Sequence, residues 1–233
     1  MMRGDMTLRA VPFAMLVVLA AMVASCGSDH SQVRFVHGSP PDTPPLDILV
    51  DGKTVATGVT FGSVFPASGY QTVTAGSRRI EERDTGTTND EINSTVTFGS
   101  SKNYTLIASG LHASIAAVLL TDDSSAPPSG KVKVRVTHLA PDFPESVDFY
   151  IVPAGTDITG MPPTVPGLAY TQASSYQTVD GGNIEVIAIS TSTHNQLVDT
   201  TFNLTAGQNR TLLLFDDAGG PPTASLLQLA DLN

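Results

Sequence analysis

Tryptophan is absent from this chain of 233 residues, and aromatic residues together make up only 6%. That speaks against the stacked aromatic platforms on which sugar rings are usually held. Cysteine occurs once, as Cys26, so no intramolecular disulfide can form. Charged residues are also few, at 15% against roughly 25% in an average soluble domain. Their balance is acidic, with a net charge of −10. Such a chain repels phosphate backbones and lacks the basic patch that would draw it to anionic lipid, so no nucleic-acid partner is expected. Motifs are missing too. There is no HExxH, CxxC, GxSxG, Walker loop or GxGxxG. No catalytic residue, cofactor or metal site is therefore expected, and a non-enzymatic role is favoured.

What is present begins with a leader, Met1 to Cys26, MMRGDMTLRAVPFAMLVVLAAMVASC. Arg3 and Arg9 give it a positive start, and Ala10 to Ala24 is uncharged and apolar over 15 residues. A spanning helix needs about 20 residues, so the run reads as a signal-peptide core. Val23-Ala24-Ser25-Cys26 resembles the bacterial lipobox, an aliphatic residue and two small ones before cysteine. The resemblance implies cleavage before Cys26 and its modification by diacylglycerol, and two or more acyl chains hold a protein firmly to a bilayer. Gly27 in place of Asp resembles the signal for outer-membrane sorting in Gram-negative lipoproteins. The expected address is the cell envelope, on the outer membrane of a Gram-negative cell or otherwise the outer face of the cytoplasmic membrane. The expected organisation is signal peptide 1–25 and tether 26–32, then module 33–123, linker 124–130 and module 131–233.

The two modules rest on an internal repeat. Val33 to Gly52 reads VRFVHGSPPDTPPLDILVDG, and Val134 to Gly155 reads VRVTHLAPDFPESVDFYIVPAG. Val33, Arg34, His37 and Asp47 recur as Val134, Arg135, His138 and Asp148, at an offset of 101. Tyr70-Gln71-Thr72-Val73 recurs as Tyr176-Gln177-Thr178-Val179, and Asn103, Thr105 and Leu106 as Asn209, Thr211 and Leu212, both at 106. The loop Pro153 to Pro166 accounts for the change of offset.

Each module reads as short alternating strands parted by turn residues. The first gives Val33–His37, Leu46–Val50, Thr54–Val59, Tyr70–Ala75, Arg78–Asp84, Ile92–Phe98, Tyr104–Ala108 and Ser114–Thr121. The second gives Lys131–His138, Val147–Val152, Leu168–Thr171, Tyr176–Val179, Asn183–Ile189, Leu197–Leu204, Arg210–Phe215 and Ala224–Leu229. The expected fold is all-β: two tandem antiparallel β-sandwiches, immunoglobulin-like, behind an N-terminal signal helix. Alternation turns Leu46, Ile48 and Val50 inward and Asp47 outward. It does the same for Val147, Phe149 and Ile151, with Asp148 outward.

The two repeated phrases, with the closing LLTDD, resemble the bacterial domain of unknown function 4397 over nearly all of the chain after Cys26. That domain is often duplicated in secreted or lipid-anchored proteins, so the resemblance implies an envelope setting. It implies no activity and no catalytic residues. Pro41 is an extra residue in the first loop, and Leu139-Ala140 replace Gly38-Ser39 in the second.

Candidate binding residues are the repeated His37, Asp42 and Asp47 with His138, Asp142 and Asp148. For both histidines the simpler reading is a strand-end imidazole that bonds the Pro-rich loop and fixes its path. For Asp42 and Asp142 it is an Asx-type turn. Asp122-Asp123 and Asp216-Asp217 read as solvated strand ends, with calcium binding as the alternative. Glu82 is aligned with Val186, and an unpaired inward carboxyl there would be costly. The expected role is a non-catalytic binding, adhesion or structural module that meets an envelope protein or polysaccharide through loops 38–45 and 139–145. The alternative is a carbohydrate-binding protein or hydrolase with its site in the crevice between modules.

Overall fold

The computed structural model describes residues 29–40, 42–217 and 223–232. The leader and Cys26 lie outside the described residues. In the first half the strands are β1 (His30–His37), β2 (Leu46–Val50), β3 (Lys53–Val59), β4 (Val64–Phe65), β5 (Gln71–Thr74), β6 (Gly76–Asp84), β7 (Asp90–Phe98), β8 (Asn103–Ser109) and β9 (Ala116–Asp122). A single turn of 3-10 helix, His112–Ser114, joins the last two. The second half has β10 (Lys131–His138), β11 (Val147–Pro153), β12 (Val165–Leu168), β13 (Gln177–Asp180), β14 (Gly182–Ser190), β15 (Gln196–Leu204), β16 (Asn209–Asp216) and β17 (Ala224–Leu232). Among the described residues no helix is long and apolar enough to cross a membrane.

These strands make four sheets, and every pairing stays within one half. The first half stacks an outer sheet β3-β2-β6-β7 on an inner sheet β4-β1-β8-β9, in which β5 also pairs with β1. The second stacks β12-β11-β14-β15 on β13-β10-β16-β17. Both halves are thus β-sandwiches, as the alternating pattern predicts. Each has its own apolar core, around Phe35, Ile48 and Leu106 in the first and Val136, Phe149 and Leu212 in the second.

Several details depart from the reading of the sequence. β1 starts at His30, so pairing with Thr74 takes up residues assigned to the tether. The strand read at Leu168–Thr171 lies earlier, at Val165–Leu168, because Thr171 adopts a positive φ of 65° in a turn. β4 was not anticipated. β1 and β8 run parallel, as do β10 and β16, where only antiparallel pairs were expected. Parallel strands are usually covered on both faces. Here β8 is buried from Tyr104 to Ser109 and β16 along its whole length.

The cover on the second face is the other half of the molecule. Val36, Ile107 and Leu120 form one apolar cluster with Leu139, Leu213, Phe215 and Leu229. The order of layers is therefore outer, inner, inner, outer. This core fills the middle of the seam between the modules, and a pocket of about 250 Å³ lined by residues of both halves, among them Arg34, Val64, Pro66, Gln228 and Ala230, remains at its edge. Gly38, at the end of β1, meets the Phe215 ring so closely that a Cβ would lie 2.3 Å from it. At the other end Arg34 reaches Ala230 in β17. Phe215 lies near the end of β16 and Ala230 beside its start, and β10 is parallel to β16, so β1 and β10 run in the same general direction.

Candidate functional site

That common direction gathers the loops. Both Pro-rich loops leave the C-terminal ends of β1 and β10 at one pole. The β6–β7 and β8–β9 connections of the first half join them there, since Thr85 N donates to Pro45 O and Gly38 N to Ala108 O. The chain enters β1 at His30, at the opposite pole.

His37 and His138 act at the base of this pole. Both are buried, at 1% and 0% exposure. Their Nε2 atoms lie 3.1 Å from Pro44 O and 2.9 Å from Glu145 O, each seven residues along the chain. Burial pushes both imidazoles below the ordinary pKa, against the pull of those carbonyls. A neutral ring donating to a carbonyl pins each loop, as the simpler reading of the sequence has it.

The aspartates do not join the histidines. Asp47, on the outer face of β2, accepts bonds from Gly58 N at 2.9 Å and Thr85 Oγ1 at 2.8 Å. Partial desolvation raises its pKa, but these bonds outweigh that and hold it below the usual range. Asp148 likewise accepts from Gly167 N at 2.7 Å. Each fastens a neighbouring strand or turn. Asp42 and Asp142 are exposed, and the Asp142 amide donates to the Asp216 carboxylate at 3.3 Å. Asp216 is itself buried, and burial together with the Asp142 charge pushes it up to about 6. It is not the solvated strand end expected of it. The six candidates thus form no single site.

Asp122 departs furthest from expectation. It was read as solvated or calcium-binding, yet its side chain is wholly buried between the halves. Arg135 Nη2 donates to it at 2.5 Å and Arg135 Nη1 to Thr121 O at 2.8 Å. The mirror contact joins Arg34 of the first half to Asp231 and Ala230 O of the second. Thr105 and Tyr70 donate to Asp122, and Thr211 and Tyr176 to Asp231. Tyr70 and Tyr176 also lie under the two guanidinium groups, 4.9 and 4.8 Å from ring centre to carbon. Every charge in this clamp has an opposite partner and extra hydrogen bonds, the condition for burying ions at tolerable cost. The repeat of Arg34 and Tyr70 was visible in the sequence. The aspartates that pair across the seam with the two arginines escaped it.

A second cluster, on the loop pole of the first half, was also missed. Asp84 ends β6, Glu91 lies on β7 and His112 opens the 3-10 turn. His112 Nε2 lies 3.2 Å from both oxygens of Asp84 and 3.8 Å from Glu91 Oε2. All three are partly exposed. Glu91 is the extra residue of a β-bulge, since Glu82 pairs with Ile92 but Arg83 with Asp90. Residues 84, 91 and 112 follow no short motif, so only the bulge and the turn bring them together. The corresponding end of the second half is a groove of about 450 Å³ lined by residues including Phe143, Glu145, Asn195 and Leu197.

Comparison with known proteins gives a family and loose structural likenesses. Three solved structures illustrate the latter. One is the family 26 carbohydrate-binding module of Amy13K from Eubacterium rectale in complex with maltoheptaose (14% identity, 84% of this chain, 95% of that one, TM-score 0.27). Another is a streptococcal family 41 carbohydrate-binding module that recognises α-glucan (12%, 84%, 96%, TM-score 0.28). A third, from Bacteroides uniformis, is described provisionally as a cell adhesion protein (12%, 85%, 98%, TM-score 0.27). Superpositions this loose carry no argument about function. No curated protein matches the chain. Residues 31–150, more than half of the chain, match the Domain of unknown function (DUF4397), and the chain belongs to that family.

Proposed function

We propose that this protein is a lipid-anchored component of a bacterial cell envelope that acts as a non-catalytic binding module through its loop pole. Cys26 is the anchoring residue, acylated after cleavage of residues 1–25, with residues 33–123 and 131–233 as the two modules. The partner is another envelope protein or a polysaccharide. One observation carries the reading: both Pro-rich loops emerge at the pole opposite the entry of the chain into β1. An anchor ahead of His30 then turns those loops away from the bilayer. The buried histidines and the packed core hold the pole in one shape, which lowers the ordering cost of a contact.

The test has two arms. In fractionated cells, wild type is expected in the envelope, and Cys26→Ser in the soluble fraction. Pull-down from intact envelopes should then recover a defined partner that is lost when exposed Asp42 and Asp142 are both changed to Lys. Envelope retention of Cys26→Ser would overturn the anchor. A partner still captured at wild-type yield by the Asp42→Lys/Asp142→Lys variant would overturn the loop pole as the contact.

A further inference from the structure

Asp84, Glu91 and His112 place one imidazole nitrogen and two carboxylates within 4.8 Å of one another. Among the described residues, His112 is the only basic side chain within ion-pair distance of Asp84 or Glu91. Arg79 and Arg83, the basic residues nearest in sequence, are turned to the other face of β6. There they pair with Glu81 and Asp90. Two carboxylates thus share a single imidazole.

We propose that Asp84, Glu91 and His112 form a binding site for a divalent transition cation of the zinc class. The donors are an imidazole and two carboxylates, a set that suits zinc; calcium takes six to eight oxygens, more than this cluster offers. The spacing fits as well. Tetrahedral zinc with bonds of about 2.0–2.2 Å holds its donors about 3.3–3.5 Å apart. The distances from His112 Nε2 are 3.2 Å to Asp84 and 3.8 Å to Glu91. Small rotations of partly exposed side chains close the difference.

Two further observations point the same way. Glu82 lies on the same face of β6 as Asp84, one pleat towards the core. It is 2% exposed, and no hydrogen bond or ion pair to its carboxyl is found among the described residues. This end of the first half therefore sets a buried carboxyl without a partner one pleat behind two carboxylates that share a single imidazole. The cluster is also not a product of the fold itself. The second half has an equivalent bulge, with Leu197 as the extra residue, and Ser190 opposite Val147 where the first has Asp84 opposite Leu46.

Three protein donors leave one position of a tetrahedral ion open towards solvent at the loop pole. That a partner's carboxylate or imidazole fills it rests on the binding role proposed above; the metal site itself does not. The test is zinc titration calorimetry on the full chain, without a histidine tag. One zinc per chain is expected, with affinity reduced at least 100-fold in His112→Ala and in Glu91→Leu. The second variant copies the bulge residue of the other half, and circular dichroism confirms that it folds. His194→Ala should bind as wild type does, and zinc should raise the wild-type melting temperature but not that of Glu91→Leu. Absence of zinc binding by wild type, equal binding by both cluster variants, or tighter binding of calcium than of zinc would each overturn the site. None of these outcomes bears on whether the chain captures an envelope partner.

Discussion

The two halves share one scaffold and fill it differently. Opposite Ile48 on β2 the first half places Glu82 on β6; opposite Phe149 on β11 the second places Ala188 on β14. A medium and a long side chain replace a large and a small one, so the gap between strands is filled either way. The seam between halves shows the same exchange. Gly38 receives the Phe215 ring, while their counterparts by the repeat offsets are Leu139 and Ser109. The clamp, by contrast, keeps the same main pairs on both sides, Arg34 with Asp231 and Arg135 with Asp122, to which Asp122 adds a 3.5 Å contact with Arg34. Positions that join the halves are thus kept in both copies, and positions at the loop pole, Asp84 and Glu91 against Ser190 and Leu197, have diverged. Closely packed interiors accept volume-conserving exchange but not the loss of one partner of a buried ion pair.

The clamp offers the most severe way to break this comparison. Asp122→Ala should cost about 3–5 kcal/mol in urea unfolding, because it strands the buried Arg135, and Asp231→Ala should cost less, because Arg34 keeps Asp122 at 3.5 Å. A loss in Asp231→Ala as large as that in Asp122→Ala would show that the longer contact of Asp122 with Arg34 contributes nothing. Next comes the seam. Phe215→Ser leaves a cavity and should cost about 3–5 kcal/mol, and Gly38→Leu should cost about 1–3 kcal/mol by overpacking. The double variant, which copies the Leu139 and Ser109 arrangement, should be more stable than Phe215→Ser alone. Equal stability of the two would deny that the residues exchange volume.

Glu82 sharpens the comparison through pH. Burial pushes its carboxyl up to about 8 from an ordinary value of 4.5. A folded-state pKa raised in this way leaves stability intact below about pH 4.5 and removes it as pH rises towards 8. At pH 7 the loss is on the order of 3 kcal/mol. Glu82→Gln cannot ionise, so its stability relative to wild type should rise from pH 5 to pH 8 when both are unfolded in the presence of a chelator. A constant difference would place the carboxyl in contact with water. The smallest effect belongs to the histidines. His37→Leu and His138→Leu each remove one bond to a loop carbonyl, at about 1 kcal/mol, and should speed proteolysis within 39–45 and 140–145 respectively. Because both folded imidazoles resist protonation, wild type should lose stability as pH falls below about 6.5, and each variant should lose less.

Glu82 also shows where reading by repeat alone went astray. Aligning Ile80-Glu81 with Ile184-Glu185 placed Glu82 against Val186, whereas the ladders place Ile80 there and Glu82 against Ala188. The inward direction was right, since alternation fixes the face. The partner was wrong by one pleat, since register is set by pairing across strands.

Most strand positions, the duplicated architecture, the inward histidines and the outward Asp47 and Asp148 were written in local periodicity and in the repeat. These features depend on neighbours a few residues apart, whose geometry the backbone fixes. The parallel pairing of β1 with β8, the burial of Asp122 and the meeting of residues 84, 91 and 112 were decided only when the sheets stacked. Each depends on elements distant in the chain, and no short-range pattern encodes which face of one sheet will meet another.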